Sequence, residues 1–229
     1  MSVFSVFSRE VVDKYIKEYA EEYSANLKAA LAEFKPVEVN NLVKILEAQM
    51  FHASDPVRDL VEVNLGAIIN LARAVKAQAK SDFAGIIGRG NELTATRILP
   101  EMFKNVWGSS TTKWDYNVTS AGVIEYIGTE NNPESTAEEE GYIILGFIDP
   151  VAEPIITKAQ IVKDNTRYQS VDLCFNYSSG YPLAALPEPW VILPEQEFFI
   201  KVKAKDSGVT RLEPVGFKIQ RAKNLLELV

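Results

Sequence analysis

The chain has 229 residues, of which 47% are hydrophobic and 24% charged, and its formal net charge at pH 7 is −7. A chain of this length can bury a large core without disulfides, and its single cysteine excludes an intramolecular disulfide. Neither half is basic, no terminal arm concentrates Lys or Arg, and no stretch is uncharged and apolar for about 18 residues, so neither direct sequence-specific nucleic-acid binding nor a membrane span is predicted.

The first part of the chain has helical periodicity. Ser8 is predicted to cap a helix whose apolar residues recur at three- and four-residue steps from Val12 to Phe34. A second helix is predicted over residues 37–52. The Asp55-Pro56 pair predicts the start of a third, whose apolar face continues to Val75. Three such helices are expected to bury their apolar faces against one another or against a partner subunit.

Two features separate these helices from the rest of the chain. Gly85 to Gly90 breaks the helical pattern, but no strand precedes these glycines and no Gly-Lys-Ser/Thr follows them, so a hinge or interface loop is favoured over a phosphate site. A short helix is predicted from Leu93 to Lys104, interrupted near Pro100.

From Thr111 the period of hydrophobicity changes to two, which predicts strands. Residues 114–127 are expected to form one long strand or a bent pair, and the acidic stretch 130–140 a solvated loop. Three further strands are predicted at 142–148, 155–162 and 168–177. A proline-rich connection around Trp190 then leads to the end of the chain.

The last two strands are predicted to form an antiparallel pair. Phe198 to Ala204 and Val215 to Ile219 both alternate, and the polar turn Lys205 to Gly208 lies between them. Their solvent-facing sides are marked by basic residues: Lys201, Lys203, Lys205, Lys218 and Arg221. The pair is expected to complete a sheet.

This order of elements predicts an α+β fold, with an N-terminal helical segment followed by an antiparallel β-sandwich of jelly-roll or Greek-key type. Residues 1–110 are predicted to be a helical self-association or interface region, and residues 111–229 the β-sandwich domain.

The residues with reactive side chains do not predict an enzyme. His52 is the only histidine and is expected to cap or pack at a helix end, and Cys174 is expected to be a buried small residue. No catalytic residue, cofactor site or metal site is predicted. Carboxylates near Trp190 (Glu188, Glu195 and Glu197) keep an acid-catalysed hydrolase open as a remote alternative.

The region from Thr111 to Lys223 resembles the coat proteins of viruses that are built on a single jelly roll. The closing stretch ILPEQEFFIKVKAKDSGVTRLEPVGFKIQRA, with a proline and an acid before a strand, a glycine turn and a second strand, carries most of that resemblance. The resemblance implies a subunit that assembles into a homo-oligomeric shell, such as an icosahedral one. The chain lacks the basic arm of many RNA-virus coats, which suits a shell around DNA that is condensed or packaged by other means.

The sequence therefore predicts a structural, self-associating protein, a virion shell subunit found in the virion if the protein is viral and in the cytoplasm otherwise. The alternative is a non-catalytic β-sandwich module that binds a carbohydrate or protein ligand near Trp190, Tyr181 and Trp114.

Overall fold

The computed structural model describes residues 36–78, 93–151, 153–164, 166–173 and 182–221. The helix predicted after Ser8, the loop from Gly85 to Gly90, Cys174 and Tyr181 lie outside these ranges. The described residues form α-helices followed by antiparallel β-sheets, as the predicted α+β class requires.

The described helices are α1 (Pro36–Gln49), α2 (Asp55–Val63) and α3 (Leu65–Gln78). Helix α2 begins after Ser54 with Pro56 in its first turn, which confirms the predicted start. The sequence predicts one helix from Asp55 to Val75, but Asn64 separates α2 from α3. The Asn64 side-chain amide donates a hydrogen bond to the Leu60 carbonyl over 2.8 Å, and this local bond favours a break in the helix.

Strands make up most of the remaining described chain. They are β1 (Leu93–Arg97), β2 (Asp115–Val118), β3 (Gly122–Ile127), β4 (Glu134–Ser135), β5 (Glu140–Ile148), β6 (Ile156–Lys163), β7 (Thr166–Asp172), β8 (Leu183–Ile192), β9 (Glu197–Ala204), β10 (Gly208–Arg211) and β11 (Glu213–Arg221).

These strands form two main antiparallel sheets. The four-stranded sheet has the order β1-β11-β5-β8, and the five-stranded sheet has the order β3-β9-β6-β7 with the short β4 also paired to β9. Strands β2 and β10 form a separate two-stranded ribbon. Among the eight longer strands of the two main sheets, the first pairs with the last, the second with the seventh, the third with the sixth and the fourth with the fifth.

The first apolar core lies between the two sheets. It joins side chains of β5 and β8, such as Phe147 and Trp190, to side chains of β6 and β9, such as Ile161 and Ile200. Phe147 and Trp190 meet edge to face, with ring centroids 5.5 Å apart.

A second core lies between the helices and the outer face of the four-stranded sheet. Ile69 and Leu71 of α3 belong to the same cluster as Ile143 and Leu145 of β5 and Phe217 of β11. Strand β5 is therefore buried on both faces, which is why its sequence is a continuous apolar run instead of an alternating one. Within the described residues, the helices bury their apolar faces on their own chain.

Two of the predicted elements have a different secondary structure. The helix predicted from Leu93 to Lys104 is wrong, because Leu93–Arg97 is a strand that pairs with β11, followed by a single 3₁₀ turn at Pro100–Met102. The predicted connection around Trp190 is strand β8. Strand β8 contains Pro187 and Pro189 and lies at the edge of its sheet. Its pairing with β5 is interrupted opposite Leu145, and an edge strand tolerates prolines at such an interruption.

The predicted pairing of the last two strands is also wrong. Strand β9 lies in the five-stranded sheet and β11 lies in the four-stranded sheet, and β10 between them pairs with β2. The chain therefore crosses from one sheet to the other after Lys205.

Strand pairing and core packing join residues on the two sides of the predicted boundary at residue 110. Strand β1 precedes that boundary and belongs to the four-stranded sheet, and α1 to α3 share a core with β5 and β11. The acidic stretch 130–140 is only partly solvated, because Glu134 is buried and accepts a hydrogen bond from the Asn105 backbone over 3.0 Å.

Candidate functional site

A cleft of about 230 Å³ opens where the turn between α1 and α2 meets the four-stranded sheet. The turn and the first half of α2 form one wall, and the ends of β1, β5 and β11 form the other. Its apolar lining comes from Met50, Val57, Val61, Val215 and Phe217. The cleft is also lined by Gln49, His52, Ser54 and Arg97, so it presents both apolar and polar groups, as many binding sites do.

Phe51 projects from the turn at the rim of this cleft. Its side chain is 73% exposed, although both of its chain neighbours, Met50 and His52, line the cleft. The His52 ring meets the Phe51 ring edge to face, with centroids 4.9 Å apart. His52 is exposed, so of the two expected roles, capping or packing at the helix end, packing into a core is wrong.

Hydrogen bonds hold the turn in one conformation. The Phe51 carbonyl accepts a bond from the Arg58 guanidinium over 3.0 Å, and the Ala53 N–H donates to the Met50 carbonyl over 2.9 Å. Arg58 also lies 3.6 Å from the Asp55 carboxylate. The exposed phenyl ring is therefore carried by an ordered turn.

Charged groups of both signs lie on the sheet side of the cleft, where Asp115 of β2 is also opposite Arg211 of β10. Glu213 accepts hydrogen bonds from Arg97 over 3.1 Å and from Arg211 over 2.6 Å, so two guanidinium groups share one carboxylate. This contact with Glu213 raises the pKa of the Arg211 guanidinium. Both arginine side chains are more than half exposed, so they remain accessible to a ligand.

The ligand site predicted on Trp190, Tyr181 and Trp114 is not formed by the two tryptophans. Trp190 is fully buried, and its indole N–H donates a hydrogen bond to the Gln169 side chain across the core. Trp114 is also buried, and its carbonyl accepts the indole N–H of Trp107 over 3.0 Å. Neither indole presents a face on which a carbohydrate ring can stack, and Tyr181 lies outside the described residues.

Other buried polar groups join strands to one another. The Lys163 ammonium donates to the Val191 carbonyl over 2.9 Å, and burial lowers the pKa of that lysine. The Tyr126 hydroxyl donates to the Leu212 carbonyl. Burial raises the pKa of Asp149, which accepts hydrogen bonds from Thr210 and Val151. Each of these groups has a structural partner.

Among the residues that the structure describes, no three or more His, Cys, Asp or Glu side chains lie close enough to hold a metal ion. No helix in the described ranges is long and apolar enough to cross a membrane.

Comparison of the chain with protein-family models, with curated proteins and with solved structures finds no match in any of the three.

The cleft and the projecting Phe51 were not predicted from the sequence. Met50-Phe51-His52 ends the helix predicted over residues 37–52, and an apolar pair at that position is typical of a packed helix end. One sequence signal points to the position of Phe51. The strong helix start at Asp55-Pro56 places Phe51 close to a turn between two helices.

Proposed function

We propose that this protein is a structural subunit that associates with copies of itself, and that it forms the shell of a virion from a single jelly roll. The nested pairing of the eight longer strands carries the proposal. When the first strand pairs with the last and each later strand pairs inward in turn, the chain is one long antiparallel ribbon folded over into two sheets. This pairing supports a double-sheet jelly roll, an architecture that viral capsid domains use.

The strand order alone is shared by jelly rolls with other functions, including lectins and cupins. Two observations favour a contact function over these. The tryptophans that a carbohydrate-binding module would present lie in the core. The largest exposed apolar side chain of the described residues, Phe51, lies beside an apolar cleft on an ordered turn. Aromatic residues are enriched at protein contacts relative to the rest of the surface.

The charge of the protein bears on what such a shell contains. The net charge is −7, and we infer that the shell does not grip a nucleic acid through the chain itself. The genome is then condensed or packaged by another component, and the subunit contributes shape and subunit contacts. The proposed location of the protein is the virion.

Negative-stain microscopy of the purified full-length protein tests the proposal. We expect closed particles of uniform diameter that persist after nuclease treatment and a wash at high salt, because protein–protein contacts hold them. Particles that disappear on nuclease treatment, or a protein that stays monomeric at several milligrams per millilitre, would contradict it.

A further inference from the structure

We propose that Asp206 is a site of spontaneous backbone modification, at which the Ser207 amide nitrogen closes a succinimide ring that opens to isoaspartate. Both residues are exposed in the turn that follows β9. The Ser207 N–H donates a hydrogen bond to Oδ1 of Asp206 over 2.7 Å, so the nitrogen already lies against the carboxyl group that it attacks. This inference concerns a single chain and is independent of the proposed self-association.

The sequence singles out this dipeptide. Ring closure at an aspartate or asparagine is fastest when the next residue is small, because a branched or bulky side chain hinders the approach of its backbone nitrogen. Of all the Asp and Asn residues in the chain, only Asp206 is followed by serine or glycine. Gly208 comes next, so two small residues follow the carboxyl group. We therefore expect the modification to be confined to one position.

The turn holds the reacting groups near the geometry of attack. Reactive conformers bring the two atoms that will bond to within roughly 3–3.5 Å of each other. The carboxyl carbon of Asp206 lies one C–O bond beyond an oxygen that is 2.7 Å from the Ser207 nitrogen. The hydrogen bond between the two residues favours this local conformation over others. Both side chains are exposed, so the water that opens the ring has access.

The reaction needs only the chain and water. The Ser207 nitrogen bonds to the carboxyl carbon of protonated Asp206, and the proton of the nitrogen and the hydroxyl of the carboxyl leave together as one water molecule. Water then adds to one of the two ring carbonyls and breaks its bond to the nitrogen. Addition at the backbone carbonyl leaves the chain running through the side-chain carbonyl, which is isoaspartate. Addition at the other carbonyl restores aspartate.

The modification falls where strand pairing leaves little slack in the backbone. Ala204 pairs with Gly122 and Gly208 pairs with Val118, which leaves only residues 119–121 and 205–207 between the two pairs. Isoaspartate adds one methylene carbon to the backbone inside this short segment. The longer backbone has to be accommodated between two fixed pairs, so we expect the pairing of β10 with β2 to weaken in the modified chain.

Peptide mapping of the aged protein tests the site. The full-length protein is incubated for several weeks at mildly acidic pH. Isoaspartate is then located by mass spectrometry with electron-transfer fragmentation and by enzymatic methylation of isoaspartyl groups. We expect it to accumulate at Asp206 and not at the other aspartates. Asp115 is the internal control, because it is exposed in the same ribbon but is followed by Tyr116.

Three variants in the exposed turn separate this chemistry from other damage. Asp206→Glu moves the carboxyl carbon away from the nitrogen by one methylene and should form at least about tenfold less isomerised product, since a misplacement of about 1 Å is enough for such a loss. Ser207→Val keeps the aspartate and should slow the reaction, because its branched side chain hinders the nitrogen. Asp206→Asn should speed it, because an uncharged amide accepts the nitrogen more readily than a carboxylate and releases ammonia.

The contribution of the folded turn has its own test. The full-length protein in concentrated guanidinium chloride keeps the sequence and loses the turn, and we expect it to form isoaspartate at position 206 no faster than the folded protein. Faster reaction in the denaturant, or isoaspartate spread over several aspartates, would overturn the assignment. So would an aged wild type with no more isoaspartate at Asp206 than Ser207→Val.

Hydrogen exchange checks the consequence for the fold. The modified fraction is separated from the unmodified protein, and deuterium uptake is measured in the peptide that contains β10. We expect the amides of β10 to exchange faster in the modified fraction and those of β5 to be unchanged. Equal exchange of β10 in the two fractions would overturn the predicted weakening of its pairing with β2.

Discussion

Thr210 donates its hydroxyl hydrogen to the carboxylate of Asp149 over 3.2 Å, and both residues are fully buried. Asp149 follows β5 and Thr210 lies in β10, so the bond ties the end of the four-stranded sheet to the two-stranded ribbon. The other Asp149 oxygen accepts the Val151 N–H over 3.1 Å, and the Asp149 N–H donates to the Pro182 carbonyl over 2.9 Å. One side chain and its backbone thus connect three segments that are distant in sequence.

The burial of Asp149 predicts a pH dependence of folding. Desolvation raises the pKa of this carboxyl above its ordinary value of 3.8. The stability contributed by the protonated form is therefore fully present below pH 3.8 and is lost as the pH rises through the higher pKa of the folded state. Asp149→Asn keeps an oxygen acceptor and removes the ionisation.

Urea unfolding of the wild type and of Asp149→Asn at pH 4, 5.5 and 7 measures this effect. We expect the wild type to lose stability relative to the variant as the pH rises. A stability difference that stays constant over this range would show that Asp149 does not titrate as its burial requires.

Trp190 is predicted to stabilise the core between the sheets and not to bind a ligand. Trp190→Ala removes a fully buried indole and leaves the Gln169 side chain without its hydrogen-bond donor. The free energy of unfolding should fall by about 3–5 kcal/mol. Val209→Ala, at an exposed valine, is the control and should change stability by less than about 0.5 kcal/mol. Similar losses for the two variants in chemical denaturation would refute the placement of Trp190 in the core.

Gly216 is predicted to tolerate no larger residue, because the neighbouring strand leaves no room for a Cβ atom. A Cβ atom at this position would lie 2.0 Å from the Ile143 carbonyl oxygen in the neighbouring strand. Gly216→Ala should therefore reduce the free energy of unfolding by about 3 kcal/mol or more. Gly208→Ala has open space, with the nearest side-chain atom at 3.8 Å, but its φ of 148° disfavours alanine, so about 1 kcal/mol is expected. Thermal unfolding that ranks Gly208→Ala as the more damaging change would contradict this.

The helices are predicted to be part of the folding unit of the sheets. A chain that begins at residue 93 lacks α1 to α3 and exposes Ile143, Leu145, Phe217 and Ile219 to water. We expect it to bind a hydrophobic dye and to lose its cooperative unfolding transition. A chain that begins at residue 36 keeps both cores and should unfold cooperatively. Cooperative unfolding of the shorter chain at the wild-type temperature would contradict this and support the predicted domain boundary at residue 110.

The alternation of hydrophobic residues and the turn residues between the alternating segments predict most of the described strands, but they do not predict which strands pair. Alternation in Phe198 to Ala204 and Val215 to Ile219 identifies two strands, and β9 and β11 lie there. The alternation of apolar and polar residues does not show which strand is the neighbour in the sheet. The short polar turn after Ala204 suggests a hairpin. The turn instead leads into β10, whose pairing with β2 depends on residues about 90 positions away.

The errors at β1 and β8 have local causes. Leu93 to Arg97 is five residues long, so its periodicity does not separate a strand from a short helix, and its pairing with β11 decides the outcome. Pro187 and Pro189 are typical of a loop, yet β8 lies at a sheet edge where missing N–H donors are tolerated. The cleft was not predictable, because it is formed where the turn after α1 meets strands that lie far along the chain.

We propose that this chain associates with copies of itself. Sedimentation velocity of the full-length protein over a hundredfold range of concentration measures that directly. We predict a population of large species of defined sedimentation coefficient that grows with concentration at the expense of the 25.5 kDa monomer. A single monomer peak at every concentration would contradict the account.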